Sequence, residues 1–188
     1  METLETISRR ASLKARLSSR EIEPEKIAKV LNAARLAPSA RNSQPWRFVV
    51  VQGREAVEAL VSSVFFETNQ VVKQAPVIII ACANPGDDVV IGGREYYLFD
   101  VGLAVENMLL AATDLGLVTH PMAALNEDKL KDALGIPHEV RFVIATPLAY
   151  PAEGSYVEAA KERLGQRTRK GLQEFVYSNT WGRPCEPY

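Results

Sequence analysis

Two groups of residues in this sequence could do chemistry. The first is the run Pro38-Ser39-Ala40-Arg41-Asn42-Ser43-Gln44-Pro45-Trp46-Arg47-Phe48. Hydroxyls, amides and guanidinium groups stand there beside one large aromatic. That composition suits a flat ligand with polar edges and an aromatic body. A connector capped by its own side chains, with Trp46 as a core anchor, is the other reading. The second group is a pair of basic segments. Residues 1–20 hold Arg9, Arg10, Lys14, Arg16 and Arg20 against Glu2 and Glu5, a net +3. Residues 161–170 hold Lys161, Arg163, Arg167, Arg169 and Lys170 against Glu162, a net +4. The whole chain is −1, so the remainder carries −8. Two basic segments on an acidic body could meet around one anion. They could also be two solvated helix faces.

Composition bounds the class. The chain has 188 residues, 47% hydrophobic and 24% charged. This suits one domain, residues 1–188, with a sizeable core. No apolar run reaches the roughly 18 residues of a membrane span. The start Met1-Glu2-Thr3-Leu4-Glu5 is acidic and has no apolar leader core. A cytoplasmic protein without a membrane partner is expected. Cys82 and Cys185 have neither disulfide-framework nor metal spacing, so no metal site is expected. The signatures His-Glu-x-x-His, Gly-x-Ser-x-Gly, Gly-x-x-x-x-Gly-Lys-Ser/Thr and Gly-x-Gly-x-x-Gly are all missing. Zinc proteases, α/β hydrolases, P-loop enzymes and Rossmann cofactor domains therefore have no support. No aromatics interleave with the basic residues, so nucleic acid is not an expected partner.

The elements that must position these groups follow from periodicity. Leu4, Ile7, Leu13 and Leu17 predict a helix over 3–17, which puts Arg10-Ala11-Ser12-Leu13-Lys14 near its end. There a guanidinium fork and an ammonium point charge could meet a phosphate. Residues 18–21 read as a turn. Pro24 suits the first turn of a helix to about Leu36, with Ile27, Val30, Leu31 and Ala34 inward. Pro38 ends it by disfavouring helix at Ala37. A strand over 47–52 follows, then a helix opened by Gly53. The run 77–83 is apolar on both faces and reads as a central strand in a covered sheet. Residues 84–94 read as a loop. A helix over about 96–115 is apolar nearly all round, which fits a core or a subunit interface. Asn126 predicts an N-cap. A second central strand spans 140–148, and 152–165 reads as a polar stretch. Phe175, Val176, Tyr177 and Trp181 make the tail too apolar to stand free.

Four segments, in order, resemble the FMN-dependent nitroreductase family: Arg10-x-Ser12-x-Lys14, Pro38-Ser39-x-x-Asn42-x-Gln44-Pro45-Trp46, residues 116–124, and residues 169–182. The resemblance covers nearly the whole chain. It implies an α+β fold: a three-layer α/β/α sandwich around a mixed, mostly antiparallel sheet, dimeric with exchanged C-terminal arms. It implies that Arg10, Ala11, Ser12 and Lys14 hold the FMN phosphate and ribityl chain, joined by Arg169 and Lys170. By the same resemblance Pro38, Ser39, Asn42, Gln44, Asn69 and Gln70 belong to the flavin site, and the backbone at Met122 and Ala123 passes the ring. Asn69 and Gln70 could otherwise be a helix cap or surface amides. Ala11 stands where many members are polar, and Ala123 where many have glycine. His120 is a neighbouring candidate proton donor, with a structural histidine as the alternative.

The implied activity is FMN-dependent NAD(P)H oxidation with ping-pong transfer to a small aromatic acceptor such as a nitro compound or quinone. NAD(P)H is then a co-substrate, and the implied partner is a second copy in a homodimer. A protein that stores, senses or modifies FMN is the alternative. A dimeric scaffold without cofactor is a third, opposed by Ser12, Lys14, Asn42 and Arg169.

Overall fold

The strand Val77–Ala83 (β2) is buried along its whole length and forms the middle of the molecule. The computed structural model describes residues 2–14 and 16–185. In it, β2 lies between Trp46–Gln52 (β1) and Arg141–Ala149 (β6), antiparallel to both. The two-residue strand Val118–Thr119 (β5) completes the order β1-β2-β6-β5, again antiparallel. The only parallel pairing among the described residues is a single bridge from Ser12 to Thr119.

Alternation along β2 builds two cores. Ile78, Ile80 and Cys82 point to one face, against the helices Arg54–Val64 (α3), Glu127–Leu134 (α5) and Tyr156–Gly165 (α6). Val77, Ile79, Ala81 and Ala83 point to the other, against Pro24–Arg35 (α2) and Tyr97–Asp114 (α4). This is the expected three-layer sandwich. Burial pushes the Cys82 thiol up to about 11, so it is an inert core side chain. No described helix is long and apolar enough to cross a membrane.

Local signals act as expected at several ends. Pro24 sits in the first turn of α2. Asn126 accepts the Lys129 N–H at 2.9 Å and caps α5, which Gly135 closes at φ 64°.

Four expectations need correction. The first helix stops at Arg9 (α1, Thr3–Arg9); Arg10 beyond it has φ −57° and ψ 127°, and Ser12 bridges Thr119 as a strand would. Leu13 N–H donates to the Thr119 carbonyl at 2.8 Å and Ser18 N–H to that of Tyr150 at 2.8 Å. These sheet-edge bonds replace the second half of a helix. They also draw residues 18–21 out of the expected turn into an extended strap. Residues 152–165 are not a plain polar stretch, because α6 begins there with a reciprocal cap between Ser155 and Glu158. The 84–94 loop contains a hairpin, Val90–Ile91 (β3) with Arg94–Glu95 (β4), turned by Gly92 and Gly93 at φ 59° and 76°.

Tyr156 holds α6 to the strap. Its hydroxyl accepts the buried Ala11 N–H at 2.9 Å and donates to the Arg9 carbonyl at 3.3 Å. Tyr156→Phe strands that N–H without a partner, so a loss of about 1–3 kcal/mol in stability is expected. Urea unfolding of the variant measures it; an unchanged midpoint would mean that this bond does not anchor the strap.

Candidate functional site

The extended strap gives the Arg-x-Ser-x-Lys spacing its use. In extended backbone, residues two apart share a face. Ala11 and Leu17 are buried and Leu13 packs on the core. Arg10, Ser12 and Lys14 therefore alternate to the opposite side. On the predicted helix Ser12 would have pointed away from Arg10 and Lys14. Arg10 Nη1 lies 3.4 Å from Ser12 Oγ, and its Nε 3.6 Å from Glu106 on α4. Ala11 turns its methyl into the core, so a polar side chain there would be buried.

The two basic segments do meet. A cavity of about 320 Å³ is lined by Arg10, Ala11 and Ser12 from the strap and by Arg163, Gln166, Arg167, Thr168 and Arg169 from the end of α6 and beyond. Arg167 is held in place by its own bonds, to the Ser8 carbonyl at 2.9 Å and the Arg10 carbonyl at 2.6 Å. Its pKa is lowered first by burial, then by Arg169 and Arg10. Like charges thus crowd a small concave space, which is the electrostatic condition for binding an anion. Lys170 does not line this cavity.

The remaining expected residues fall in three places. Lys14 Nζ donates to the Thr68 carbonyl at 3.1 Å, over the 3-10 segment Glu67–Gln74. Buried Asn69 donates to the Ala124 carbonyl at 3.2 Å, tying that segment to 122–125. The Gln70 amide instead closes the end of α3, donating to Val61 and Phe65 carbonyls at 2.9 and 2.7 Å. Met122 is buried and exchanges two backbone bonds with Ala145, whereas Ala123 and Ala124 are exposed. His120 lies between these groups, its Nδ1 buried without a partner among the described residues. Burial, then Lys14 and Arg163, hold its pKa below the usual histidine value. It is a neutral imidazole at neutral pH.

The third place is the 38–44 loop, at the N-terminal end of α4. None of its residues lines the basic cavity. Arg41, Asn42 and Gln44 have φ of 52°, 58° and 50°, and all three are exposed. Ser39 Oγ accepts the Gln44 N–H at 3.0 Å, and Asp100 Oδ2 accepts the Ala40 N–H at 2.7 Å. Pro38 leads the chain into this loop. Trp46 is buried beneath it in the α2–α4 core, as the anchor reading expects, and the Asn42 and Gln44 amides are exposed.

Arg163, Gln166, Arg167 and Thr168 were not among the expected site residues. Their signal was the net +4 of residues 161–170, without a way to tell which side chains face inward. Among the described residues, no group of three or more His, Cys, Asp or Glu could hold a metal ion.

The Nitroreductase family model matches residues 7–83 and 64–150. This chain belongs to the nitroreductase family. A protein of Archaeoglobus fulgidus, provisionally named an NADH dehydrogenase/NAD(P)H nitroreductase, is 34% identical over 167 residues, covering 87% of this chain and 93% of its own. The crystal structure of a nitroreductase family protein from Clostridium novyi NT matches with a TM-score of 0.76 and 33% identity, over 98% of this chain and 97% of that one. A nitroreductase structure from Desulfovibrio desulfuricans, in complex with FMN, shares the fold at a TM-score of 0.77 and 24% identity, over 96% and 98%. The match to the nitroreductase family model ends at residue 150, so the α6 half of the basic cavity lies beyond it.

Proposed function

We propose that this protein is an FMN-dependent NAD(P)H oxidoreductase acting on a small aromatic acceptor such as a nitro compound or quinone. The observation that carries the reading is the basic cavity. Four arginines from two distant segments line it, and no carboxylate is among its lining residues. This donor set fits a phosphate dianion: arginine forks for its oxygens, Ser12 and Thr168 hydroxyls beside them.

The other groups fit the rest of FMN. Arg10, Arg169 and Ser12 would hold the phosphate. Lys14 and Asn69 border the path toward the exposed backbone at Ala123 and Ala124, where small side chains allow close approach to a flat ring. When bound, FMN supplies two-electron chemistry, accepting hydride from NAD(P)H and passing the electrons to the acceptor. The protein binds, orients and shields; neutral His120 would accept or donate a hydrogen bond rather than carry charge.

A homodimer is part of this proposal. Leu98 and Phe99 on α4, Leu4 and Ile7 on α1, and Phe175 and Trp181 in the tail are large exposed apolar side chains. The 38–44 loop stands apart from the basic cavity of its own chain. A two-fold partner would bring its copy of that loop to the flavin and receive the tail.

The visible spectrum of purified protein, with FMN titration of any colourless fraction, tests the cofactor. Flavin bands and released FMN are expected, and failure to take up FMN would overturn the reading. With NADH or NADPH and a quinone, parallel reciprocal plots are expected. Intersecting plots would rule out ping-pong transfer.

A further inference from the structure

The 38–44 loop is held by two acids that lie outside it. Arg41, Asn42 and Gln44 all lie in the left-handed region. Each such residue costs roughly 1–2 kcal/mol when it is not glycine, somewhat less for asparagine. A loop built this way persists only when its surroundings over-determine it. Two carboxylates supply the outside bonds. Asp100, 1% exposed in the first turn of α4, accepts the Ala40 N–H at 2.7 Å. Asp88, from the segment before β3, accepts the Ser43 hydroxyl at 2.6 Å. The loop thus hangs from one acid near each end.

The two acids converge on one turn: their donors, Ala40 N–H and Ser43 Oγ, belong to the turn that the Ser43 N–H closes on the Ala40 carbonyl at 3.1 Å. Asp88 Oδ1 already accepts two donors, Ser43 Oγ and its neighbour Val89 N–H at 2.7 Å. Asp88 Oδ2 is buried with no donor. Two ionised carboxylates cannot share such a place without a cation. None of the ion pairs among the described residues includes Asp88 or Asp100. Arg47 of β1 is engaged with Asp87 at 2.8 Å, and Arg41 is exposed. The α2 side chains buried along α4, Val30 and Ala34, are uncharged.

We propose that Asp100 keeps its proton and donates it to Asp88 Oδ2, so that one proton joins the two acids into a clasp that positions the 38–44 loop. The donated hydrogen bond fills the vacant acceptor. Burial, followed by Asp88, raises the Asp100 pKa, while the Ala40 N–H opposes the shift. The sign follows. A carboxyl with a raised folded-state pKa stabilises the fold below its unfolded value, and that stabilisation is lost as pH rises through the folded value. The clasp is closed on the acid side and opens when the proton leaves to solvent. Asp88 and Asp100 are positioning residues; neither is assigned contact with a ligand. The clasp stands without the flavin reading, and only its effect on FMN binding rests on that reading.

Carbon-13 NMR titration of the aspartate carboxyls in flavin-free protein tests it, with the Ala40 and Gln44 amide signals as loop reporters. In the wild type, Asp100 should titrate above the ordinary carboxylate range, and both amides should shift with the same midpoint. Asp100→Asn replaces the carboxyl proton with an amide donor that does not titrate. The loop reporters should then hold the acid-side position across the whole range. An Asp100 that titrates normally, or the same loop shift in Asp100→Asn, overturns the clasp. Asp88→Asn is the second variant and should also abolish the shared step. FMN affinity should fall about fivefold through that step in the wild type, the ratio one net hydrogen bond supplies, and stay flat in Asp100→Asn. A shared NMR step with no FMN binding at any pH would sink the flavin reading and leave the clasp.

Discussion

Arg10→Ala should weaken FMN binding by roughly tenfold to a hundredfold. A hydrogen bond to a charged group is worth about 1.5–3 kcal/mol, and about 1.4 kcal/mol is a factor of ten. Arg10 faces the basic cavity from the strap, and its other neighbour is Glu106 at 3.6 Å. Burial raises the Glu106 pKa and Arg10 lowers it. Removing Arg10 also takes away the partner of Glu106, so the measured loss combines the lost phosphate bond with any repulsion from that carboxylate. Fluorescence titration of FMN gives the affinity, and thermal unfolding checks that the fold is intact. Arg169→Ala should act in the same direction, because Arg169 is exposed at the cavity mouth. Arg167→Ala should differ in kind. Its guanidinium bonds the Ser8 and Arg10 carbonyls, so its loss should lower stability along with affinity. An Arg10→Ala variant that binds FMN as tightly as the wild type would show that the phosphate does not sit in this cavity.

The second large effect concerns the tail. Phe175 and Trp181 are 55% and 90% exposed in the single chain, with Tyr177 and Trp181 rings 4.9 Å apart. Fully burying such a side chain contributes about 1.5–3 kcal/mol. If both are covered by a partner, the double variant Phe175→Ser, Trp181→Ser should weaken the dimer by roughly two to four powers of ten for each of the two tails. Sedimentation equilibrium of wild type and variant reads this directly. FMN retention should fall with it, because the 38–44 loop of a second copy is part of the proposed site. A wild type that is monomeric at all concentrations would remove the dimer from the proposal. A variant dimer of unchanged strength would move the interface away from the tail, toward the α4 residues Leu98 and Phe99.

Much of this was readable from residue order. Strict apolar runs identified β2 and β6 because both faces of those strands are covered, and covered faces leave no polar alternation to misread. Proline, glycine and asparagine marked the ends of α2, α3 and α5 because their backbone preferences act within a few residues. The Ser155-x-x-Glu158 cap is equally local and marks the start of α6 within an otherwise polar segment. The strap was harder. Its Leu13 and Leu17 also fit a helical stripe with Leu4 and Ile7, and nothing local could say that Leu13 would bond to Thr119 across the sheet edge.

By itself the sequence determined the helix and strand types with strong periodicity, the two basic segments, and a loop rich in hydroxyls and amides. These depend on side-chain type and on neighbours a few residues away. The tertiary structure decided which basic residues face one cavity, because Arg10 and Arg167 are brought together by sheet-edge pairing and by α6 packing. It decided that the Gln70 amide closes α3 while Asn69 reaches Ala124. It also decided that Asp88 and Asp100, on separate elements with no local signal, meet beneath a left-handed loop. Burial and charge proximity are properties of the folded chain, and they set which carboxyl keeps its proton.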